Sequence, residues 1–280
     1  MDPLDITAQV TKQSNSQIKA IIFDFDGVLS SFVVRLGRPL MQSVYMVKPD
    51  ITEKQVTESS LEVFSMLTTL DKKPKNTSLA KFSFQMGKKM GMTNFQALKF
   101  IITTVIMYAK SRMNIVPTVG VRSVLRELLA QDYKVILLTN TSRKVIKKAA
   151  KKIPEINDFD LILTRDDIDT IKPDASGFFK ALKIMKLKAS EVLAVGDQAS
   201  DIIAGRRAGI KTVAVVEKEM AHSRPHLQEQ NPDFFLRDMR DLPSLLKFLR
   251  DCIIEDIRTT IDLNEMSLSE YIIQHNLSST

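Results

Sequence analysis

The fold turns on Ala20-Ile21-Ile22-Phe23-Asp24-Phe25-Asp26-Gly27-Val28. Four apolar residues, two of them β-branched, run into a carboxylate, and a glycine closes the stretch. A run so short and so apolar reads as a strand buried on both faces. It ends at Asp24, and a second carboxylate, Asp26, follows two residues later. Gly27 permits the sharp turn that keeps both carboxylates near the strand end.

Downstream of Pro117 the same kind of strand recurs between helices. Val121 to Leu129 reads as an amphipathic helix, and Lys134 to Leu138 as a strand ending in Thr139-Asn140. A basic helix over Ser142 to Lys152, a strand over Leu161 to Leu163 and a helix over Ser176 to Met185 follow. Val192 to Val195 is a strand running into Gly196-Asp197. Ser200 to Ala208 is a helix closed by Gly209, and Thr212 to Val216 a strand. Alternating strands and helices mean a parallel sheet with helices on both faces. Ligands in such sheets bind outside the carboxyl ends of the strands. Asp24, Thr139 and Asp197 therefore converge on one crevice.

Between Ser31 and Asn114 the pattern is helical instead, punctuated by Pro39, Pro49 and Pro74. Val56 to Leu70 and Asn94 to Lys110 carry apolar residues at helical spacing. Eight of the 13 methionines lie here, which suits adaptable helix packing better than a ligand surface. The expected organisation is a core of residues 18–30 and 117–250, an inserted all-helical unit over 31–116, and an acidic helical extension over 251–280.

Four elements carry candidate chemistry, and each has a plainer reading in isolation. Asp24 and Asp26 can divide nucleophilic attack from proton transfer, or simply cap a turn. Thr139 and the nearby backbone N–H groups can hold a phosphate oxygen, whereas Thr141 or Ser142 there can be a helix N-cap. Lys172, before Pro173-Asp174, can neutralise a nucleophile and a phosphoryl group, or lie on the surface. Asp197 and Asp201 offer hard oxygen ligands suited to Mg²⁺, or favourable charge at a helix N-terminus.

Taken jointly, the order strand–DxDGV, strand–TN, KP, strand–GDxxxD resembles the haloacid dehalogenase superfamily, in particular its phosphatase branch with a helical cap. The resemblance covers about Ile18 to Leu249, and Ser31 to Val116 matches only in position and helical character. It is closest from Lys172 to Val216, through KPD, GDQASD and AGRRAG. It implies an α/β fold with a Rossmann-like parallel sheet and an inserted helical cap. It also implies Asp24 as a nucleophile forming an aspartyl-phosphate and Asp26 as general acid/base. Mg²⁺ would be held by Asp24, the Asp26 carbonyl, Asp197 and Asp201, Asp201 acting directly or through water. Thr139, helped by the Asn140 backbone, would bind the phosphoryl group, and Lys172 would orient Asp24. Family members that cleave carbon–halogen bonds lack an Asp at the Asp26 position, so its presence implies phosphoryl chemistry. A phosphoglycolate-like small phosphomonoester is the expected substrate. A phosphosugar mutase of the same fold, and a catalytically silent binding protein using the basic insert and acidic tail, are the alternatives.

One departure stands out. Ser30 to Pro39 does not align with the usual leucine, valine or isoleucine followed by Asp-Ser. Arg35 and Arg38 lie there, near the mouth by chain distance. They are candidates for binding a substrate carboxylate or phosphate, set against a role in surface solubility, which is the favoured reading.

Composition bounds the rest. At 44% hydrophobic residues the chain is too apolar to be disordered as a whole. The single cysteine, Cys252, excludes an intrachain disulfide, and a reducing cytoplasmic compartment is expected. The first 20 residues lack a signal-peptide core, and the longest apolar stretch, Phe100 to Ala109, is far too short to span a membrane. Met1 to Gln17 reads as polar and frayed. Ser31 to Val116 carries 13 basic and five acidic residues, a net of +8, and Asp251 to Thr280 a net of −5. The basic segment suits anionic substrates. Nucleic acid is disfavoured by the few aromatics and the lack of a base-reading motif, and an oligonucleotide-end phosphatase is the alternative that the basic segment leaves. His222 and His226, in a loop with no ligand-spaced partners, read as surface residues. In the tail, Ile253, Ile254, Ile257 and Ile261 mark a short helix, and Ser267 with Glu270 a capping box.

Overall fold

The computed structural model describes residues 7–9, 17–52, 54–56, 58–59, 76–251 and 260–262. Its strands are β1 (Thr7–Gln9), β2 (Ala20–Phe23), β3 (Lys134–Leu138), β4 (Leu161–Leu163), β5 (Val192–Gly196), β6 (Lys211–Val215), β7 (Phe234–Leu236) and β8 (Thr260–Asp262). Its helices are α1 (Arg38–Val47), α2 (Asn76–Lys89), α3 (Asn94–Ser111), α4 (Val121–Ala130), α5 (Arg143–Ala149), α6 (Ser176–Met185), α7 (Ala199–Arg207), α8 (Arg224–Gln228) and α9 (Leu242–Asp251).

Six strands form one parallel sheet in the order β4-β3-β2-β5-β6-β7. β2 is central, and all four of its residues are buried. Side chains alternate between the two faces. Ile21, Phe23, Val135, Leu137, Leu193 and Val195 pack against α4, α5 and α9 on one side. Ala20, Ile22, Ile136, Leu138 and Ala194 pack against α6 and α7 on the other. Apart from Lys134 at the start of β3 and Lys211 and Thr212 at the start of β6, the strands of this sheet are apolar, because neither face meets water.

The chain leaves β2 toward β3 and β4, then crosses back to β5, β6 and β7 on the far side of β2. The order therefore reverses at the β2/β5 boundary, where a crevice opens at the strand ends.

Helices α1, α2 and α3 bury a separate apolar cluster that includes Val44, Val47, Met86, Met92, Ala97 and Phe100. The α3 N-terminus carries a capping box: Thr93 accepts from Gln96 N at 3.2 Å, and the Gln96 side chain accepts from Thr93 N at 2.9 Å. Ahead of α1, Val33–Gly37 winds as one π-helical turn. Of the helix expected over Val56 to Leu70, all but Val56, Glu58 and Ser59 lies outside the described residues.

Three expectations are corrected. Thr7–Gln9, within the stretch expected to be frayed, is a strand paired antiparallel with Thr260–Asp262. Ile261 thus belongs to a strand and not to a tail helix, since backbone pairing between distant segments outweighs helical spacing in a short piece. The helix expected over Ser142 to Lys152 stops at Ala149, with turns and Pro154 following. Cys252, Ile253, Ile254, Ile257 and the Ser267–Glu270 pair lie outside the described residues.

Candidate active site

Asp24 follows the last residue of β2, and its backbone N–H donates to Val195 O at 3.0 Å across the switch point. Asp197 follows β5 next door. Gly27, at φ +79°, turns the chain so closely past Asp197 that an added Cβ would collide with that carboxylate. Asp201 lies in the first turn of α7, packed under Gly196. One oxygen from each of Asp24, Asp197 and Asp201 can lie within 4.8 Å of the others.

Lys172 answers this negative charge. It is 4% exposed, and its Nζ lies 2.7 Å from Asp24 Oδ1 and 2.5 Å from Asp201 Oδ1. It also donates to Leu138 O at 3.0 Å. Burial alone would favour the neutral amine, but Asp201 and Asp24 outweigh it and hold the ammonium charged. The surface reading of Lys172 is therefore replaced by a buried ion pair.

One ammonium does not balance three carboxylates. Burial, with the charges of Asp201, Asp24 and Asp26, pushes the Asp197 carboxyl well upward. Burial and the Asp24 charge push Asp201 up to about 6 despite Lys172. Asp197 Oδ1 is buried without a hydrogen-bond partner. A hard divalent cation fits this arrangement: an all-oxygen donor set, surplus negative charge and an orphaned oxygen.

Thr139 is 1% exposed at the end of β3, and its Oγ1 accepts from Thr141 N at 3.1 Å. Asn140 turns its side chain onto Lys172, accepting from Lys172 N and donating to Lys172 O, both at 3.1 Å. Its side chain holds the lysine segment in place; only its backbone remains for a phosphoryl group.

Asp26 lies apart from the carboxylate trio. Arg35 forks onto it, Nε to Oδ1 and Nη2 to Oδ2, and Thr141 Oγ1 donates to Oδ2 at 2.6 Å. Burial pushes its carboxyl upward, and Arg35 opposes that. With its side chain engaged by Arg35 and Thr141, the main-chain carbonyl is the group Asp26 would offer a metal.

Arg35 is thus 2% exposed and not a solubility residue, while Arg38 is exposed as expected. Thr141 faces Asp26 instead of capping α5, and Ser142 at the cap position makes no side-chain cap bond. Glu217, after β6, was missed: it accepts from Ser31 Oγ and Phe32 N, both at 2.6 Å. A lone arginine inside Phe32-Val33-Val34-Arg35-Leu36 was the available signal for Arg35; nothing local marked Glu217. A small, partly open cleft lies beside Asp197, walled by Phe32, Val216, Met220 and Leu227. His226, expected at the surface, is half-buried at its edge, 3.4 Å from Glu229.

A family model for haloacid dehalogenase-like hydrolases matches residues 21–215. The pyrophosphatase PpaX of Bacillus cereus (strain B4264) is 37% identical over 123 residues, which is 43% of this chain and 55% of that protein. The chain thus spans about half the length of the curated relatives it matches. A predicted phosphoglycolate phosphatase from Haemophilus somnus 129pt superposes with a TM-score of 0.59 at 20% identity, over 82% of this chain and 98% of its own. The HAD-hydrolase YfnB from Bacillus subtilis, a structure bound to magnesium, superposes at 0.61 and 15% identity, over 83% and 100%. These likenesses show the fold. No helix among the described residues is long and apolar enough to cross a membrane. With the motifs at the strand ends of this parallel sheet and the family model matched across them, the chain belongs to the haloacid dehalogenase-like hydrolases.

Proposed function

We propose that the chain is a Mg²⁺-dependent phosphohydrolase of small phosphomonoesters, phosphoglycolate-like in size and charge, working through an aspartyl-phosphate on Asp24. The observation that carries this reading is the buried Lys172 bridging Asp24 and Asp201, with Asp197 and its unpartnered oxygen alongside.

A carboxylate nucleophile and a phosphate ester repel each other. Lys172 offsets part of that repulsion at the attacking oxygen of Asp24. Mg²⁺, held by Asp24, Asp197, Asp201 and the Asp26 carbonyl, would supply the remaining positive charge. Thr139, whose oxygen already accepts from Thr141 N, keeps its hydroxyl proton for a phosphoryl oxygen, and the Asn140 backbone assists. An Asp24 oxygen bonds to phosphorus as the ester P–O bond breaks, and Asp26 protonates the departing oxygen. Asp26 then takes a proton from the water that attacks phosphorus, freeing Asp24. Residues 31–116 act as a cap over the core of residues 18–30 and 117–250, keeping bulk water out of the first step. The apolar wall beside Asp197 favours a small, enclosed substrate, taken up from a cytoplasmic pool.

The match to a pyrophosphatase favours a second substrate, inorganic pyrophosphate, hydrolysed by the same residues. The test is phosphate release from phosphoglycolate, sugar phosphates, nucleoside monophosphates and pyrophosphate, with Mg²⁺ or with EDTA. Wild type is expected to turn over at least one of them. EDTA or Asp24→Asn should each lower the rate by at least about 10³-fold, roughly 4 kcal/mol of barrier. Turnover that survives both would exclude the mechanism.

A further inference from the structure

Among the described residues, the guanidinium of Arg35 is the most deeply buried charge that the proposed chemistry leaves without a task, at 2% exposed. It meets both oxygens of Asp26. Its Nη2 also donates to Thr141 Oγ1 at 3.0 Å, and that hydroxyl donates onward to Asp26 Oδ2 at 2.6 Å. Oδ2 therefore holds two donors and Oδ1 one. A carboxylate offers about four lone-pair directions, so the one left open is on Oδ1. A forked arginine fixes the plane of a carboxylate, which a lysine cannot do.

Arg35 reaches Asp26 from the segment between Ser31 and Val116, and both ends of that segment grip it. At the near end the π-helical turn Val33–Gly37 carries it, and Glu217 anchors the start of the turn through Ser31 and Phe32. At the far end Ser111 Oγ donates to Arg35 O at 3.0 Å, and Arg35 Nη1 lies 3.4 Å from Arg112 O.

We propose that Arg35 is a positioning residue for proton transfer. It aims the open lone pair of Asp26 Oδ1 at the leaving-group oxygen, and the contacts at the two ends of the 31–116 segment hold it there. The inference rests on the reading of Asp26 as the general acid/base. In the step concerned, an Asp24 oxygen bonds to phosphorus while the ester P–O bond breaks. The proton on Asp26 Oδ1 passes to the departing oxygen, and Arg35 keeps all its protons beside the carboxylate left behind.

The test uses two esters, p-nitrophenyl phosphate, whose phenolate departs without a proton, and glycerol phosphate, whose alkoxide does not. In a single turnover that reads release of the alcohol, before the aspartyl-phosphate is hydrolysed, Arg35→Ala should slow glycerol phosphate by roughly 10²-fold or more, and p-nitrophenyl phosphate by far less. Asp26→Asn should show the same split, and adding Arg35→Ala to it should cost nothing further on glycerol phosphate. Methylguanidinium should restore part of the Arg35→Ala loss. Arg35→Lys, which keeps the charge and loses the fork, should show the split if the alanine variant fails to fold. Equal losses on both esters, a gain on both, or additive losses in the double variant would overturn the inference while leaving Asp26 its role. If Asp26→Asn itself shows no split, or wild type hydrolyses neither ester, the reading of Asp26 fails and the inference fails with it.

Discussion

Asp24 and Asp197 follow different strands, and Asp197 can hold its place because Gly27 beside it has no side chain. Its φ of +79° lies in the left-handed region, and a Cβ would strike Asp197. Gly27→Ala should cost about 1–2 kcal/mol from the backbone alone. It should also push Asp197 aside, raising the Mg²⁺ concentration needed for half-maximal activity by roughly 10-fold, equal to about 1.4 kcal/mol. Urea unfolding and a Mg²⁺ titration check the two effects, and an unchanged titration would show that Asp197 does not depend on this glycine. Asp24, Thr139, Lys172 and Asp197 were legible because each follows a readable strand or sits in a recognisable dipeptide. The pairing of Arg35 with Asp26, and the places of Thr141 and Glu217, were not. Thr141 is 115 residues from Asp26 and Glu217 is 186 from Ser31. A buried ion pair or cap between such segments leaves no periodic trace in the sequence.

Among the elements, α4 and the turn at Pro154–Asp158 are tied by charge. Glu155, 6% exposed, accepts from Arg122 Nε at 3.1 Å and from Arg126 Nε at 2.8 Å. Burial would lift its carboxyl, yet the two arginines hold it down at about 2, against an ordinary value of 4.5. A carboxyl lowered on folding adds stability above its unfolded value, and that stability is lost as pH falls toward the folded value. Glu155→Gln should therefore cost roughly 1–2 kcal/mol near neutral pH and progressively less toward about pH 2. Urea unfolding at both ends of that range checks it; an equal loss at each would mean that shape, not charge, matters. The longer strands and the helices α3, α4 and α6 were legible from periodicity. β7 and the β1–β8 pair were not, since three residues are too few to show alternation, and pairing partners far apart in the chain decide them. The π-helical turn Val33–Gly37 was hidden in a general helical pattern.

For the molecule as a whole, the sheet order β4-β3-β2-β5-β6-β7 does the chemical work of placement. It brings the ends of β2 and β5 side by side at the reversal, and the segment 31–116 enters and leaves at Ser31 and Val116, which are joined by Ser31 N to Val116 O at 2.8 Å. The insert therefore begins and ends at one point beside the site, and Arg35 lies at that junction. The sequence revealed the order of motifs, and hence the crevice, but not how the two ends of the 31–116 segment meet beside it, because that depends on contacts between residues far apart in the chain. Of the acidic tail over 251–280, all but Asp251 and Thr260–Asp262 lies outside the described residues. The central claim is that Asp24 carries the phosphoryl group. The most direct measurement is borohydride trapping after a rapid quench, which reduces an aspartyl-phosphate to homoserine, followed by peptide mass spectrometry. Homoserine at position 24, formed only with substrate and Mg²⁺ and absent in Asp24→Asn, is the predicted result. Phosphate release with no homoserine at position 24, or with homoserine at Asp197 or Asp201 instead, would contradict it.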